Sequence, residues 1–122
     1  MSLQRITLQL ARNPGQPVGD TGQGYTIIAP LTAAGQLDVD AWREHRSECR
    51  VVRFHPDPHE HATGRLTHRG SRWMFHYDDE DEEDDEAGYR LGDHLFKEGE
   101  YVTIVSEGED PLTYKITDIS PV

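Results

Sequence analysis

Cysteine is nearly absent: Cys49 stands alone in 122 residues. No internal disulfide can form, and a cysteine-rich zinc site is excluded. No apolar run approaches membrane-spanning length, and no basic segment followed by an apolar stretch opens the chain. Neither a leader nor a membrane partner is therefore expected, and a reducing, cytoplasmic setting is. Several catalytic signatures are also missing. There is no Gly-Lys-Ser/Thr phosphate loop, no Gly-x-Ser-x-Gly elbow and no HExxH, since Thr63 stands where the second histidine would be. The glycines of Gly19-Asp20-Thr21-Gly22-Gln23-Gly24 precede an expected strand rather than open a helix, and read as a loop.

Positive charge is scarce as well: 12 Lys and Arg face 23 Asp and Glu, for a net charge of −11. The imbalance is local. Residues 1–77 carry nine arginines against seven acids, while nine consecutive carboxylates follow: Asp78, Asp79, Glu80, Asp81, Glu82, Glu83, Asp84, Asp85 and Glu86. Net acidity argues against nonspecific association with nucleic acid or anionic membrane.

What is present is a pattern of short strands. Ile6, Leu8 and Leu10 alternate with Thr7 and Gln9, as on a half-buried strand, and Tyr25–Leu31 reads as a second. Asp38 suits a helix N-cap, flanked by Leu37 and Trp42 at the positions of a hydrophobic staple, which predicts a helix over 39–48. Arg50–Phe54 returns to strand. A hairpin over Gly64–Tyr77, turning at Gly70-Ser71, sets Leu66 opposite Phe75 and His68 opposite Trp73 on one face with Tyr77. A second hairpin joins Tyr101–Val105 to Leu112–Ile119. With no alternating β–α units, the expectation is a single, mainly β domain over residues 1–122. Its form would be a small antiparallel β-barrel or compact sandwich of six to seven strands with one short helix.

The acidic run admits three readings. Neighbouring charges on extended chain lie about 3.3 Å apart, inside a Debye length of roughly 8 Å, and nothing apolar offsets their repulsion. A mobile, solvated loop over 78–86 is the first expectation. As a calcium loop it fails, because the sixth position counted from Asp79 is Asp84 where an EF-hand needs glycine. As a binding element it would attract a basic protein surface with strong salt dependence. That surface could also be internal, since Arg50, Arg53, Arg65, Arg69 and Arg72 occupy mid-chain and could be masked by the run.

The second unusual stretch is His55-Pro56-Asp57-Pro58-His59-Glu60-His61. On extended chain His55, Asp57, His59 and His61 alternate onto one side, all metal-ligand types. Same-side neighbours are nearly 7 Å apart, so a straight segment offers two ligands to one ion. A bend, joined by His68, His76 or His94, would be needed to complete a shell for a divalent metal such as zinc. Bound water would then be acidified, with Glu60 or Asp57 as base. Otherwise the segment is a proline-stiffened connection, and no cofactor is expected.

Cys49, at a helix end, is disfavoured as a thiolate nucleophile. Trp73, Phe75 and Tyr77 alternate near Arg65, Arg69 and Arg72, as a single-strand nucleic-acid platform would. Core packing demands the same alternation, and the neighbouring carboxylates repel phosphates, so no nucleic-acid partner is expected. The leading expectation is a non-catalytic interaction module that presents 78–86 to a basic protein; the alternative is metal binding through the histidine cluster.

Overall fold

Apolar alternation resolves into eight strands in the computed structural model, which describes residues 3–15, 17–70, 72–78, 86–89, 91–105 and 110–122. They are β1 (Leu3–Leu10), β2 (Asp20–Pro30), β3 (Arg50–Phe54), β4 (Ala62–Arg69), β5 (Arg72–Tyr77), β6 (Glu86–Tyr89), β7 (Tyr101–Val105) and β8 (Leu112–Pro121). A short helix, α1 (Val39–Glu44), separates β2 from β3. Each strand pairs antiparallel with the next, and β8 returns to β1 through Ile6↔Ile119 and Leu8↔Ile116, closing an up-and-down barrel. Closure leaves no open sheet edge to template aggregation. The seam is thinnest at β6, which shares two residue pairs with β5 and three with β7.

An eight-stranded barrel is just wide enough for side chains to fill it. Here they do. Ile6, Leu8, Tyr25, Ile27, Val51, Leu66, Phe75, Tyr77, Val102 and Ile116 are all buried to 2% exposure or less. Tyr25 spans the interior, its ring 5.3 Å from Phe75 and 5.1 Å from Tyr114. These centroid distances are those of favourable tilted and edge-on aromatic pairs. Such a filled interior leaves the surface and barrel ends as the places for chemistry.

The expected hairpin 64–77 has the predicted register: Leu66↔Phe75, His68↔Trp73 and Arg69↔Arg72, with Gly70 at φ 61° where the turn demands a left-handed residue. The 101–105/112–119 hairpin likewise forms, with Val102 opposite Tyr114. Three features differ from expectation. Strand β2 begins at Asp20, so the glycine stretch 20–24 is strand rather than loop; Asp20–Gln23 are exposed or half-exposed and so lack an apolar alternation to announce it. Helix α1 stops at Glu44, not 48. The His45 N–H is shared between the Ala41 and Trp42 carbonyls, and the chain tightens into a 3₁₀ turn over Arg46–Glu48. Glu86, counted with the acidic loop, opens β6 opposite Phe75, and β6 is one strand more than the six to seven expected.

Local chemistry explains the ends of the barrel. Asp38 caps α1 by accepting the Ala41 N–H at 3.1 Å, and Leu37 and Trp42 are both buried in the core. Trp42 Nε1 donates to the Leu66 carbonyl at 2.9 Å, which fixes the helix on β4. Asn13, a buried polar residue, acts as an extra strand residue: its amide donates to Thr113 O at 3.0 Å and accepts the Thr113 N–H at 2.8 Å. Among the described residues no helix is long and apolar enough to cross a membrane.

Gly64 faces inward on β4 opposite Tyr77, and a Cβ there would collide with the backbone of His76 and Tyr77. Gly64→Ala is therefore expected to lower stability by roughly 2–3 kcal/mol through overpacking. Urea denaturation checks this, and a change under about 0.5 kcal/mol would show that the β4–β5 approach is looser than described.

Candidate functional site

The acidic run leaves the barrel from β5 and re-enters at β6. Its first residue is held: the Asp78 N–H donates to Thr63 O at 3.0 Å, prolonging the β4–β5 ladder. Asp78 Oδ2 also accepts from Arg50 Nη2 at 2.8 Å, with both side chains about half exposed. An ion pair this wet contributes about 0–1 kcal/mol, so it orients more than it stabilises. The last residue, Glu86, is held by strand pairing. Asp79, Glu80, Asp81, Glu82, Glu83, Asp84 and Asp85, for which mobility was expected, lie outside the described residues.

Beside Asp78 lies the basic face. Alternation on β3, β4 and β5 turns Val51, Leu66 and Phe75 inward, and Arg50, Arg65 and His76 outward, in one row across three strands. Further along, Arg69 pairs with Arg72 at the hairpin tip. One inward-parity arginine, Arg53, behaves differently. Its guanidinium sits 4.8 Å from the Tyr77 ring centroid while Nε donates to Glu60 O at 2.9 Å. Thus, of the five arginines that sequence reading grouped, the register brings Arg50 and Arg65 together and sets Arg53 apart at a barrel end.

The histidine segment bends, as a metal site would need, but around its own backbone. Pro58–Glu60 forms a 3₁₀ turn capped by Asp57, whose Oδ1 accepts the His59 N–H at 3.0 Å. His55 Nδ1 accepts the Asp57 N–H at 2.9 Å, which occupies the one lone pair of a neutral imidazole. His61 Nε2 lies 2.6 Å from the His55 carbonyl oxygen; a carbonyl only accepts, so this nitrogen carries the proton. His59 is exposed, and among the described residues no group of three or more His, Cys, Asp or Glu is disposed to hold a metal ion. The remaining histidines are elsewhere: His68 and His76 on β4 and β5, and His94 after the 3₁₀ turn Leu91–Asp93, where its N–H donates to Leu91 O.

Cys49 is fully buried, and burial, followed by the nearby Glu48 carboxylate, pushes its thiol up to about 11. At neutral pH it is a protonated, inert core residue. Trp73, Phe75 and Tyr77 are buried in the barrel and offer no stacking surface.

One constellation was not visible in the sequence. Packing of the 46–48 turn against β4 opens a cleft of about 460 Å³ lined by Trp42, Arg46, Ser47, Arg65, Thr67 and His68, with Leu66 and Arg69 completing the wall. The spacing of Arg65 and Arg69 on alternate strand positions was legible, but not the approach of Arg46, 19 residues earlier in the chain. Comparison with protein-family models, curated proteins and solved structures finds no match for this chain.

Within that cleft wall, the His68 ring is 4.5 Å from Trp73 and 5.9 Å from Trp42. Desolvation first, then the Arg43 charge, lowers its pKa below the ordinary value. The unfolded chain therefore takes up this proton before the folded one does. The stability contributed is present above pH about 6.5 and is lost as pH falls through the lower folded-state value. Wild type is expected to lose stability relative to His68→Gln between pH 7 and 5. Paired urea melts check this, and a difference that does not change with pH would contradict it.

Proposed function

We propose that the protein is a non-catalytic interaction module that presents Asp78–Glu86 to a basic protein surface. The observation that carries this reading is the anchoring of the two ends of the run: Asp78 hydrogen-bonded to Thr63, and Glu86 opposite Phe75 on the neighbouring strand. Nine successive carboxylates thus begin and end on one patch of a barrel with a filled interior. A charge of this density raises the encounter rate with arginine- and lysine-rich surfaces and concentrates them at that patch. The partner's chemistry follows from the run itself: several cations spaced along a segment or surface, not a single one. A reducing, cytoplasmic setting belongs to the same reading and rests on the lone cysteine, a core thiol.

The alternative, a zinc-like divalent ion on His55, Asp57, His59 and His61, gains no support from the geometry. His55 spends its lone pair on the Asp57 N–H, and the Asp57 carboxylate caps the following turn.

Fluorescence anisotropy of a labelled nona-arginine peptide tests the proposal. Binding is expected to weaken at least about tenfold between roughly 50 and 300 mM NaCl. It should also collapse when residues 79–85 are changed to Asn and Gln. Affinity that survives neutralisation of the run would contradict the assignment of the site.

A further inference from the structure

The cleft between the 46–48 turn and β4 is independent of the acidic run's proposed role. In a chain with almost twice as many acids as bases, its lining contains three arginines, a serine hydroxyl and a histidine, and no carboxylate. Two of the guanidiniums define it. Arg46 lies 4.8 Å from the Trp42 ring centroid, and the Trp42 indole is itself tied to Leu66 O at 2.9 Å. That arginine is held at the cleft edge by cation–π attraction and forms no ion pair with a described residue. Arg65 is exposed on the outer face of β4; its cross-strand neighbour Arg50 already has Asp78, and Arg65 has no ion pair with a described residue.

Geometry selects among anions. Arg46 and Ser47 lie on the 46–48 turn and Arg65 on β4, so the cleft draws its donors from two different elements. A tetrahedral oxyanion offers three acceptor oxygens to separated donors, whereas a carboxylate offers two in one plane. The Thr67 hydroxyl donates to Met74 O at 3.2 Å, so it supplies no donor proton to a ligand. A volume of about 460 Å³ suits a small molecule rather than a polymer. Arg46 lies over the Trp42 ring, and His68 and Trp73 stand at steep angles to it with ring centroids 5.9 and 5.6 Å away. The face that Arg46 covers is closed to a ligand ring, and recognition there rests on charge.

We infer that this cleft binds the phosphate group of a small phosphomonoester, with Arg46 and Arg65 as its principal ligands and Ser47 as a further donor. Such charge-assisted, partly preorganised contacts are the strong class of hydrogen bond. The bound group would lie beside the indole N–H of Trp42, one of two tryptophans in the chain, which makes that resonance a local reporter.

The test is NMR titration of the intact protein with O-phosphoserine and with AMP, using serine and adenosine as phosphate-free controls. Both phosphomonoesters are expected to shift the Trp42 indole N–H saturably with Kd tighter than about 1 mM, and both controls to be silent. Arg46→Gln and Arg65→Gln should each weaken binding by about tenfold or more. Arg12→Gln, whose Nε donates to Pro17 O on another loop, should not. Kd weaker than about 1 mM, equal response to the phosphate-free controls, or equal weakening by Arg12→Gln overturns the proposal.

Discussion

Closure of the sheet onto itself is the constraint from which the other features follow. Antiparallel pairing of β8 with β1 completes a ring whose interior is filled by Tyr25, Phe75, Tyr114 and the aliphatic residues around them. Such a ring has no edge and no lumen. Two consequences are structural: glycine is required where backbones approach most closely, as at Gly64, and the ends must be plugged. Trp42 on α1, with Leu91 and Phe96 around the Leu91–Asp93 turn, supplies buried apolar residues from outside the strands for that purpose. The third consequence is functional. Polar chemistry is displaced to the outer face and to the loops.

Charge is distributed over that outside unevenly. The outward row Arg50–Arg65–His76 lies beside the point where nine carboxylates begin, and the Arg50–Asp78 ion pair joins the two. The same strand geometry that forms the arginine face therefore also sets Asp78, the first residue of the run, beside it. The Arg50–Asp78 pair is about half exposed and so weak at physiological salt. The two proposals concern different residues and opposite charges.

Legibility in the sequence tracked the reach of the interaction responsible. Hairpin 64–77 was readable to the residue because its determinants are local: a turn glycine at Gly70 and the alternation of Leu66, Trp73, Phe75 and Tyr77. The Asp38 cap and the Leu37–Trp42 pair were readable for the same reason, though the helix yields to a 3₁₀ turn where His45 finds two acceptors. Strand β6 escaped notice because it is four residues long and opens with a carboxylate. Asp20–Gly24 escaped because glycine and polar residues resemble a loop until Leu10 and Gln9 are placed beside them. The candidate sites divide likewise. The acidic run is visible in one dimension. That Arg46 and Arg65 line one cleft depends on how a turn packs on a strand, and the histidines' use as backbone partners depends on a local fold that their alternation did not reveal.

Ring closure is tested most directly by backbone amide hydrogen exchange. In a closed ring, amides that bond across the β1–β8 seam, around Ile6, Leu8, Ile116 and Ile119, are protected to the same free energy as those between β1 and β2. If the β1–β8 amides exchange as fast as the loop at Pro14-Gly15 while the β1–β2 amides stay protected, the sheet is open. The filled, edgeless barrel would then be the wrong description.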